Sequence, residues 1–530
     1  MHRATIDRGI DADAPPNRVG RVDVLVTAGM AYPVFERLVL AAEREIVAGF
    51  RIFDMSTRLR TPEARAVGED CFDLLLHKVR HGVSFRLVVS DFDVVVATDL
   101  HGLTWRTVRQ GAALVELGPK GADIQVIPSL HPAHVGWAAR LALWPRVDRL
   151  LRDKASRLLK LERPARQRFL QRHPHLSRFL MVEGRGNPGP RRWPLPPLSP
   201  VTHHQKAAVI DRRHLYVGGL DLNERRWDDL DHEQPAEETW HDVQLHVDDA
   251  RAAEAARTHL KEFTHVIRLE AEPSPLDAAV LRTLSAKRRR GPLAMSPKSK
   301  VSEISDGLID GIRSAEHLIY AETQFLRDRR IAAELAKAAR RVPGLELILM
   351  LPGRPEDVAF ERSAREDARF GEFLQAVCVR QIRRAFRGRI FIGSPARPVT
   401  AQTQGLDVLH GAPLIYLHSK VATFDDHVAI VGSANLNGRS LKWDTELAWA
   451  TTEADEVRAI RRSCMDGVLG GGRLTPDHDR FGRAARAWQV AALENARRRP
   501  EDRTDHIVPY LNRPGARFGR DLGPIPDEMV

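Results

Sequence analysis

The sequence predicts a layered α/β fold built as two similar halves. Strand-like and helix-like segments alternate along both halves of the 530-residue chain, and such alternation is typical of α/β domains. A 20-residue segment that begins at His204 recurs at His418. Domains usually hold about 100–200 residues, so the length predicts two large units or a few smaller ones.

The first half is expected to span residues 21–270, after a flexible leader at 1–20. Short apolar runs predict its strands, and apolar residues three and four positions apart predict its helices. In chain order we expect a strand at Val22–Thr27, a helix at 31–46, a strand at 50–56, a helix at 64–81 and a strand at 85–93.

The second half, residues 301–470, repeats this alternation. We expect helices at 301–315 and 329–341, and strands at Leu318–Glu322, 345–353 and 389–394. The segment 271–300, between the halves, includes AKRRRGPLAMSPKSK, which has six basic residues, two prolines and no acid. That composition predicts a linker. Residues 471–530 are expected to form a C-terminal extension.

A basic segment at about 137–200 interrupts the first half. Between Trp137 and Arg163 it carries eight basic and three acidic residues. On a helix that starts near Pro145, an apolar stripe is formed by Leu143, Val147, Leu150, Leu151, Leu158 and Leu159. Two alternatives are open. A basic helix flanked by tryptophans suits a membrane surface, but the same stripe also suits docking on the protein's own core.

Composition narrows the class of protein. The formal net charge is +11, from 81 Lys and Arg against 70 Asp and Glu, which favours anionic partners such as phosphate esters or acidic lipid. The three cysteines, Cys71, Cys378 and Cys464, are too sparse for a disulfide framework or a zinc site and fit a reducing compartment. No signal peptide or spanning apolar run is visible. We therefore expect a cytoplasmic protein whose membrane contact, where it occurs, is peripheral.

The recurring segment carries the chemistry. It reads HQKAAVIDRRHLYVGGLDLN from His204 and HSKVATFDDHVAIVGSANLN from His418. Both copies contain H-x-K-x₄-D followed by a Gly, a polar residue and an Asn. The shared positions are His204, Lys206, Asp211, Gly218, Asp221 and Asn223 in the first copy, and His418, Lys420, Asp425, Gly432, Asn435 and Asn437 in the second. A single H-x-K-x₄-D arises often by chance, whereas a matched pair indicates a site.

The spacing within each copy predicts which side chains converge. Residues i and i+2 of a strand point to the same face, so each His projects together with the Lys of its copy. Each Asp falls at the turn of a predicted hairpin, where its carboxylate accepts nearby backbone N–H groups. We count Asp211 and Asp425 in the catalytic motifs but expect them to form turns rather than to react.

Two histidines and two lysines suit chemistry at a phosphodiester. Ammonium groups neutralise the charge that develops on the non-bridging oxygens. One imidazole attacks phosphorus to give a covalent phosphohistidine. The other protonates the leaving oxygen and then activates water or an alcohol. Because the lysines supply the positive charge, we expect neither a metal nor another cofactor.

The duplicated motif resembles the HKD signature of the phospholipase D superfamily. The blocks WHDVQLHV at Trp240–Val247 and IYAETQF at Ile319–Phe325 are most similar to its eukaryotic-type, phosphatidylcholine-hydrolysing branch. The resemblance implies two similar α/β domains, each with a mixed central sheet flanked by helices. It also implies that the domains are related by a pseudo-twofold axis, with the active site between them.

Residue roles follow from the resemblance. His204 matches the usual nucleophile and His418 the general acid/base, while Lys206 and Lys420 match the phosphate-binding lysines. Supporting or phosphate-binding roles are implied for Asp221, Asn223, Asp242, Ser433, Asn435 and Glu446. Among these, Asp242 and Glu446 match acids that hydrogen-bond the catalytic imidazoles and steady their protonated form.

The leading hypothesis is hydrolysis or transphosphatidylation of a glycerophospholipid headgroup bond. We expect a monomer whose partners are the phospholipid substrate and an anionic membrane surface. One alternative is a cardiolipin synthase-like phosphatidyltransferase, although such enzymes usually carry N-terminal membrane helices. Another is a nuclease, but no basic stretch interleaved with aromatic residues is present, so no nucleic acid partner is expected. A non-catalytic binding protein would have no reason to keep both His–Lys pairs.

Overall fold

The computed structural model describes residues 17–181, 189–191, 193–277, 279–288, 291, 294–363, 365–523 and 525–530. Its strands are β1 (Asn17–Val19), β2 (Val22–Val26), β3 (Glu45–Phe50), β4 (Ser84–Ser90), β5 (Ile124–Ser129), β6 (Leu180–Met181), β7 (Gly189–Pro190), β8 (Lys206–Ile210), β9 (His214–Gly218), β10 (Val243–Asp248), β11 (Val280–Ala286), β12 (Lys298–Ser302), β13 (Leu318–Glu322), β14 (Glu346–Met350), β15 (Ile390–Pro395), β16 (Val408–Leu409), β17 (Ala412–Pro413), β18 (Val421–Phe424), β19 (Val428–Gly432), β20 (Glu446–Thr451) and β21 (Ile507–Pro509).

The α-helices flank these strands. They are α1 (Thr27–Ala41), α2 (Pro62–Arg65), α3 (Cys71–Arg80), α4 (Thr98–Leu117), α5 (Trp137–Leu159), α6 (Arg163–Arg172), α7 (Ala250–Leu269), α8 (Glu303–Ser314), α9 (Arg329–Arg341), α10 (Glu356–Ala359), α11 (Glu366–Phe386), α12 (Gly438–Lys442), α13 (Ala454–Leu469), α14 (Ala484–Arg497) and α15 (Asn512–Phe518).

Two mixed sheets organise the molecule. The first has the strand order β1-β2-β10-β9-β8-β3-β4-β5, and the second has β12-β11-β20-β19-β18-β13-β14-β15-β21. In each sheet three strands run parallel, namely β3-β4-β5 and β13-β14-β15, and the strands on their other side pair antiparallel. The predicted fold class, two α/β halves with mixed central sheets, is confirmed. The pseudo-twofold axis stays a prediction.

The two halves share a hydrophobic core. One cluster of buried side chains joins β2, β9 and β10 of the first sheet to β19, β20 and helix α13 of the second half. A smaller cluster joins Phe263, Val266 and Ile267 of α7 to Leu284 of β11. Burial of apolar area is worth about 25 cal/mol per Å², so this shared core holds the halves against each other and supports whatever lies between them.

Five expectations about individual elements are corrected. The presumed linker contains β11 and β12. The sequence did not indicate β12 because this strand, KSKVS, is polar, lies exposed at the edge of the sheet and lacks apolar alternation. The helix expected at 31–46 ends at Ala41. The strand expected at 50–56 lies earlier, at Glu45–Phe50, since the chain then turns towards the cleft described below. The helix expected at 64–81 is two helices, α2 and α3. The C-terminal extension adds β21 to the edge of the second sheet beside β15. Residues 1–16 of the expected leader lie outside the described residues, and 17–19 form β1.

The basic segment forms α5 and α6. Helix α5 begins at Trp137 rather than near Pro145, which lies inside it. Val147, Leu151 and Leu158 are buried, so the middle of the predicted stripe docks on the protein's own core, whereas Leu159 is exposed. In the described part of the chain, no helix is both long and apolar enough to cross a membrane.

The two motif aspartates close equivalent hairpins. Asp211 follows β8 and Asp425 follows β18, both with positive φ. The carboxylate of Asp211 accepts hydrogen bonds from the backbone N–H groups of residues 43–45. That of Asp425 accepts from residues 316–318 at 2.6–2.8 Å. Each aspartate thus ties its hairpin to the start of the neighbouring strand, β3 or β13.

Replacing these carboxylates by amides should destabilise the fold. A hydrogen bond to a charged group contributes about 1.5–3 kcal/mol, and Asn offers one acceptor oxygen instead of two. We expect Asp425→Asn, at a buried position, to lower the thermal midpoint by several degrees, and Asp211→Asn to lower it less. Scanning calorimetry measures this against Asp310→Asn, a control whose side chain is 77% exposed. An unchanged midpoint for Asp425→Asn would contradict the assigned role.

Candidate active site

The two motif histidines line one cleft between the halves. His204 and His418 each lie just before a hairpin strand, β8 or β18. Both border a cavity of about 290 Å³, together with Asn435, Gln324 and Phe325 from the second half. The two motif copies, separated by 214 residues in the chain, therefore contribute to the same space.

Backbone hydrogen bonds between the halves position both histidines. The N–H of His204 donates to the carbonyl of Thr445 at 2.8 Å, and the N–H of His418 donates to the carbonyl of His241 at 2.7 Å. Thr445 and His241 each directly precede an acidic residue, Glu446 or Asp242. Each motif is thus joined to the strand that carries the other half's carboxylate.

Each imidazole is paired with that carboxylate. His418 Nδ1 lies 2.6 Å from Asp242 Oδ2, and His204 Nδ1 lies 3.1 Å from Glu446 Oε2 and 3.2 Å from the carbonyl of Ser433. A carboxylate at Nδ1 orients the ring and favours a reactive Nε2. No described residue hydrogen-bonds to Nε2 of either ring, so both Nε2 atoms are available to a ligand in the cleft.

The motif lysines lie beside their histidines, as the i, i+2 spacing predicts. Lys206 Nζ donates to the carbonyl of His204 at 2.5 Å and lies 3.9 Å from Asp221 Oδ1. Lys420 Nζ donates to the carbonyl of His418 and contacts its Nδ1 at 2.9 Å. Both ammonium groups are buried, so they act on the cleft through a poorly screened environment.

Burial shifts the protonation of this cluster. It raises the pKa of Glu446 to about 8 and lowers the pKa of Lys420 to about 7. The pKa values of His204 and His418 fall well below the usual range, because burial and the adjacent lysine charges both oppose the imidazolium form. Near pH 7 both rings are neutral. A bound anion would raise these pKa values, since its charge offsets the lysines.

The other expected site residues divide into two groups. Asn435 lines the cleft and donates to Gln324 Oε1 at 3.1 Å, while Ser433 Oγ donates to Glu446 Oε2 at 2.5 Å. Asp221 lies behind the cleft, where it accepts from the N–H of Ile52 at 2.9 Å. The carbonyl of Asn223 accepts from the hydroxyl of Tyr32. Neither Asn223 nor the hairpin residues Asp211 and Asp425 borders the cavity.

Sequence reasoning missed four arginines that border the cleft, namely Arg51, Arg226, Arg327 and Arg439. The internal repeat held a signal for the first of them. Ile46 of β3 pairs with Ile210, and Ile319 of β13 pairs with Phe424, so Arg51 occupies the position of Gln324 in the second half.

Among the described residues, no group of His, Cys, Asp or Glu side chains is arranged to hold a metal ion. The expected absence of a metal stays a prediction.

The sequence of the chain is similar to those of known proteins. Residues 308–464 match the family described as "Cardiolipin synthase, PLD-like domain". Phospholipase D A of Dictyostelium discoideum is 23% identical over 351 residues, which cover 50% of this chain and 26% of that protein. A cardiolipin synthase of Listeria monocytogenes serotype 4a (strain HCC23) is 23% identical over 283 residues, with coverages of 52% and 50%. The chain thus spans half or less of the length of these two relatives.

Among solved structures, the phosphatidylserine synthase of Haemophilus influenzae Rd KW20 aligns with a TM-score of 0.49 and 10% identity. That alignment covers 91% of this chain and 95% of the other. The family match and the curated relatives support assignment of the chain to the phospholipase D superfamily. Because the relatives include both phospholipases D and cardiolipin synthases, the eukaryotic-type branch stays a prediction.

The lowered pKa of Lys420 predicts how anion binding varies with pH. Lys420 carries its charge below about pH 7 and loses it above, so the affinity for sulfate should fall as the pH rises through 7, by up to about tenfold per pH unit. Titration calorimetry from pH 6 to 9 measures this, and sulfate itself keeps its charge in that range. Lys420→Gln should bind sulfate weakly, and the fall in affinity that remains should lie nearer pH 8, where Glu446 gains its charge. Equal sulfate affinity of the unaltered protein at pH 6 and pH 9 would contradict the role of Lys420 as an anion-binding group that titrates near pH 7.

Proposed function

We propose that the protein is an enzyme that cleaves the headgroup phosphodiester of a glycerophospholipid through a phosphohistidine. One observation carries this proposal. His204 and His418 line the same cleft with Nε2 available, each Nδ1 is paired with a carboxylate, and a lysine lies beside each ring. Such an arrangement suits displacement at an anionic phosphorus atom.

The proposed reaction has two displacements. His204 Nε2 forms a bond to phosphorus as the bond to the headgroup oxygen breaks, and His418 gives its proton to that oxygen. Water or an alcohol then loses a proton to His418, attacks phosphorus and releases His204. Lys206 and Lys420 stabilise the charge that develops on the non-bridging oxygens. Water gives phosphatidic acid, and an alcohol gives a new phosphatidyl ester.

Asp242 and Glu446 are proposed as positioning residues. Each holds an imidazole through Nδ1 and stabilises the imidazolium that forms during transfer. Asn435 is proposed to contact the phosphate, since it lines the cleft and its Oδ1 is buried without a partner among the described residues. Asp221 supports Lys206 from behind, at 3.9 Å.

The function test presents three substrates to the protein at once. Phosphatidylcholine, phosphatidylglycerol and a labelled oligonucleotide are incubated with EDTA and a primary alcohol. We expect lipid cleavage and phosphatidyl-alcohol formation despite EDTA, because the lysines rather than a metal supply the positive charge. His204→Asn and His418→Asn should each lower turnover at least about 10³-fold, since the nucleophile and the acid act as a unit.

The matched control is His81→Asn, an exposed histidine outside the cleft, which should keep full activity. Cleavage of the oligonucleotide with both lipids untouched would redirect the assignment to a nuclease. Phosphatidic acid without phosphatidyl alcohol would favour hydrolysis over transfer, and phosphatidyl alcohol without phosphatidic acid would favour a phosphatidyltransferase of the cardiolipin-synthase kind.

We also propose that α5 meets an anionic membrane surface. Three large apolar side chains project at or near its start, namely Trp137 at 59%, Leu141 at 48% and Trp193 at 75% exposure. Leu198, five residues after Trp193, accepts from the N–H of Val135, just before α5. Exposed arginines, including Arg149 and Arg157, continue along the helix. Apolar residues next to basic ones suit the boundary of an acidic bilayer.

The membrane proposal is tested by vesicle sedimentation. The double variants Trp137→Ser/Leu141→Ser and Arg149→Glu/Arg157→Glu should each weaken binding to phosphatidylglycerol-rich vesicles at least about fivefold, at roughly 1 kcal/mol per basic residue. Arg340→Glu/Arg384→Glu, on exposed positions of α9 and α11, is the control for net charge. Equal losses in the control and in the α5 charge variant would show that total charge, not this surface, drives binding.

A cytoplasmic location and a monomeric state complete the proposal. All three cysteines are buried and unpaired, which supports a reducing compartment. Both motif copies lie in one chain, so a single protomer contains every proposed reacting group.

A further inference from the structure

Arg51 breaks the correspondence between the halves. At the equivalent position in the second half, Gln324 accepts a hydrogen bond from Asn435. In the first half the corresponding pair is Arg51 and Asp221, because Asp221 and Asn435 occupy the same position of the repeat. A neutral hydrogen-bonded pair has thus been replaced by a cation that borders the cleft.

The guanidinium of Arg51 has no counter-charge in contact with it. Among the described residues, no carboxylate oxygen lies within 4.0 Å of Arg51, and its buried Nε has no hydrogen-bond partner. Asp221, the corresponding acid, already accepts from Ile52 and lies near Lys206. The partner that its guanidinium does have is the Phe92 ring, at 5.4 Å, which supplies no negative charge. A partly buried cation without a counter-charge is costly unless a ligand supplies one.

Arg226 provides a second cation in the same cleft. Its side chain is 10% exposed, its guanidinium lies over the Trp240 ring at 3.4 Å, and its Nε has no partner among the described residues. Its ion-pair partner Glu356, at 3.5 Å, is held more closely by Arg225, at 3.1 Å. The charges of Arg51 and Arg226 both act on His418 and lower its pKa further, after burial and Lys420.

Each carboxylate that borders the cleft lies near a cation other than Arg51. Glu356 is shared by Arg225 and Arg226, and Asp357 lies 3.8 Å from Arg365. Asp444 contacts Arg439 at 3.0 Å, and Asp367 lies 3.6 Å from Arg146. A phosphodiester carries one negative charge, and Lys206 and Lys420 already lie beside the two histidines. Arg51, which none of these carboxylates contacts, therefore adds positive charge beyond what the reacting phosphate needs, and Arg226 adds a further cation that only partly shares Glu356.

A choline headgroup fits this cleft poorly. Quaternary ammonium groups bind to the open faces of aromatic rings. Phe325 lines the cleft, but the guanidinium of Arg327 lies over its ring at 3.9 Å. One face of this ring is thus covered by a protein cation that also borders the cleft and repels a second positive charge.

We propose that Arg51 and Arg226 form a second anion subsite beside the reacting phosphate, for a headgroup that carries its own phosphate. The enzyme then prefers phosphorylated headgroups over choline. The preference among headgroups rests on the proposed function. Anion binding by Arg51 and Arg226 does not depend on that function and can be measured separately.

Binding is tested first, with compounds that cannot be turned over. Titration calorimetry compares methylphosphonate, with one anionic group, and propane-1,3-bisphosphonate, with two. The full-length protein should bind the bisphosphonate at least about tenfold more tightly, or about 1.4 kcal/mol. Arg51→Gln, which installs the residue of the second half, should remove most of that difference and change methylphosphonate affinity less than about twofold.

The control is Arg340→Gln, at an exposed position of α9, which should keep the unaltered preference. Equal affinity of the unaltered protein for both compounds overturns the subsite. An equal loss for both compounds in Arg51→Gln also overturns it, because Arg51 would then hold the reacting phosphate.

Turnover then tests the preference for substrate. We expect a higher kcat/KM for phosphatidylinositol 4-phosphate than for phosphatidylinositol, with phosphatidylcholine slowest, and Arg51→Gln should reduce the first ratio about tenfold. An unchanged ratio in Arg51→Gln overturns the assignment of Arg51. Absence of turnover on every lipid would refute the proposed function instead, while the calorimetry would still decide whether the subsite exists.

Discussion

The structure depends on two His–carboxylate pairs, in each of which one half supplies the carboxylate and the other half supplies the histidine. The first half supplies Asp242 to His418, and the second supplies Glu446 to His204. Backbone hydrogen bonds from the same two histidines to His241 and Thr445 fix the strands that carry these acids. Neither imidazole is oriented within its own half alone. The shared core is therefore part of the site, because a small shift of one half would separate both pairs together.

Burial and charge oppose each other throughout the cleft. The charged groups of the cleft are shielded from water. As a result, the pKa of Lys420 falls to about 7 and the pKa of Glu446 rises to about 8. Such a cluster is costly in isolation. Its cost is offset when an anion binds between the cations, since the bound charge restores their protonated forms. The arrangement is poised for an anionic ligand rather than optimised for stability.

Sequence patterns predicted the local elements well where they were strongly periodic. The strand Leu318–Glu322 and the helix Arg329–Arg341 have the predicted bounds, since apolar spacing and a flanking Asp328 cap define them locally. Prediction failed where contacts with another part of the chain decide whether a segment is a strand or where a strand ends. β12 is a strand because β11 lies beside it, and β3 ends at Phe50 because Arg51 turns into the cleft. No property of those segments alone reveals either outcome.

By itself, the sequence determined the repeat, the hairpins and the pairing of each His with its Lys. These follow from spacing along one strand, and a two-residue period acts over a few ångströms of backbone. Only the tertiary structure decided which acid orients which histidine, and that Arg51, Arg226 and Arg327 border the same cleft. Those relations join residues more than 100 positions apart. Chain spacing carries no information about such distances until the two sheets pack on their shared core.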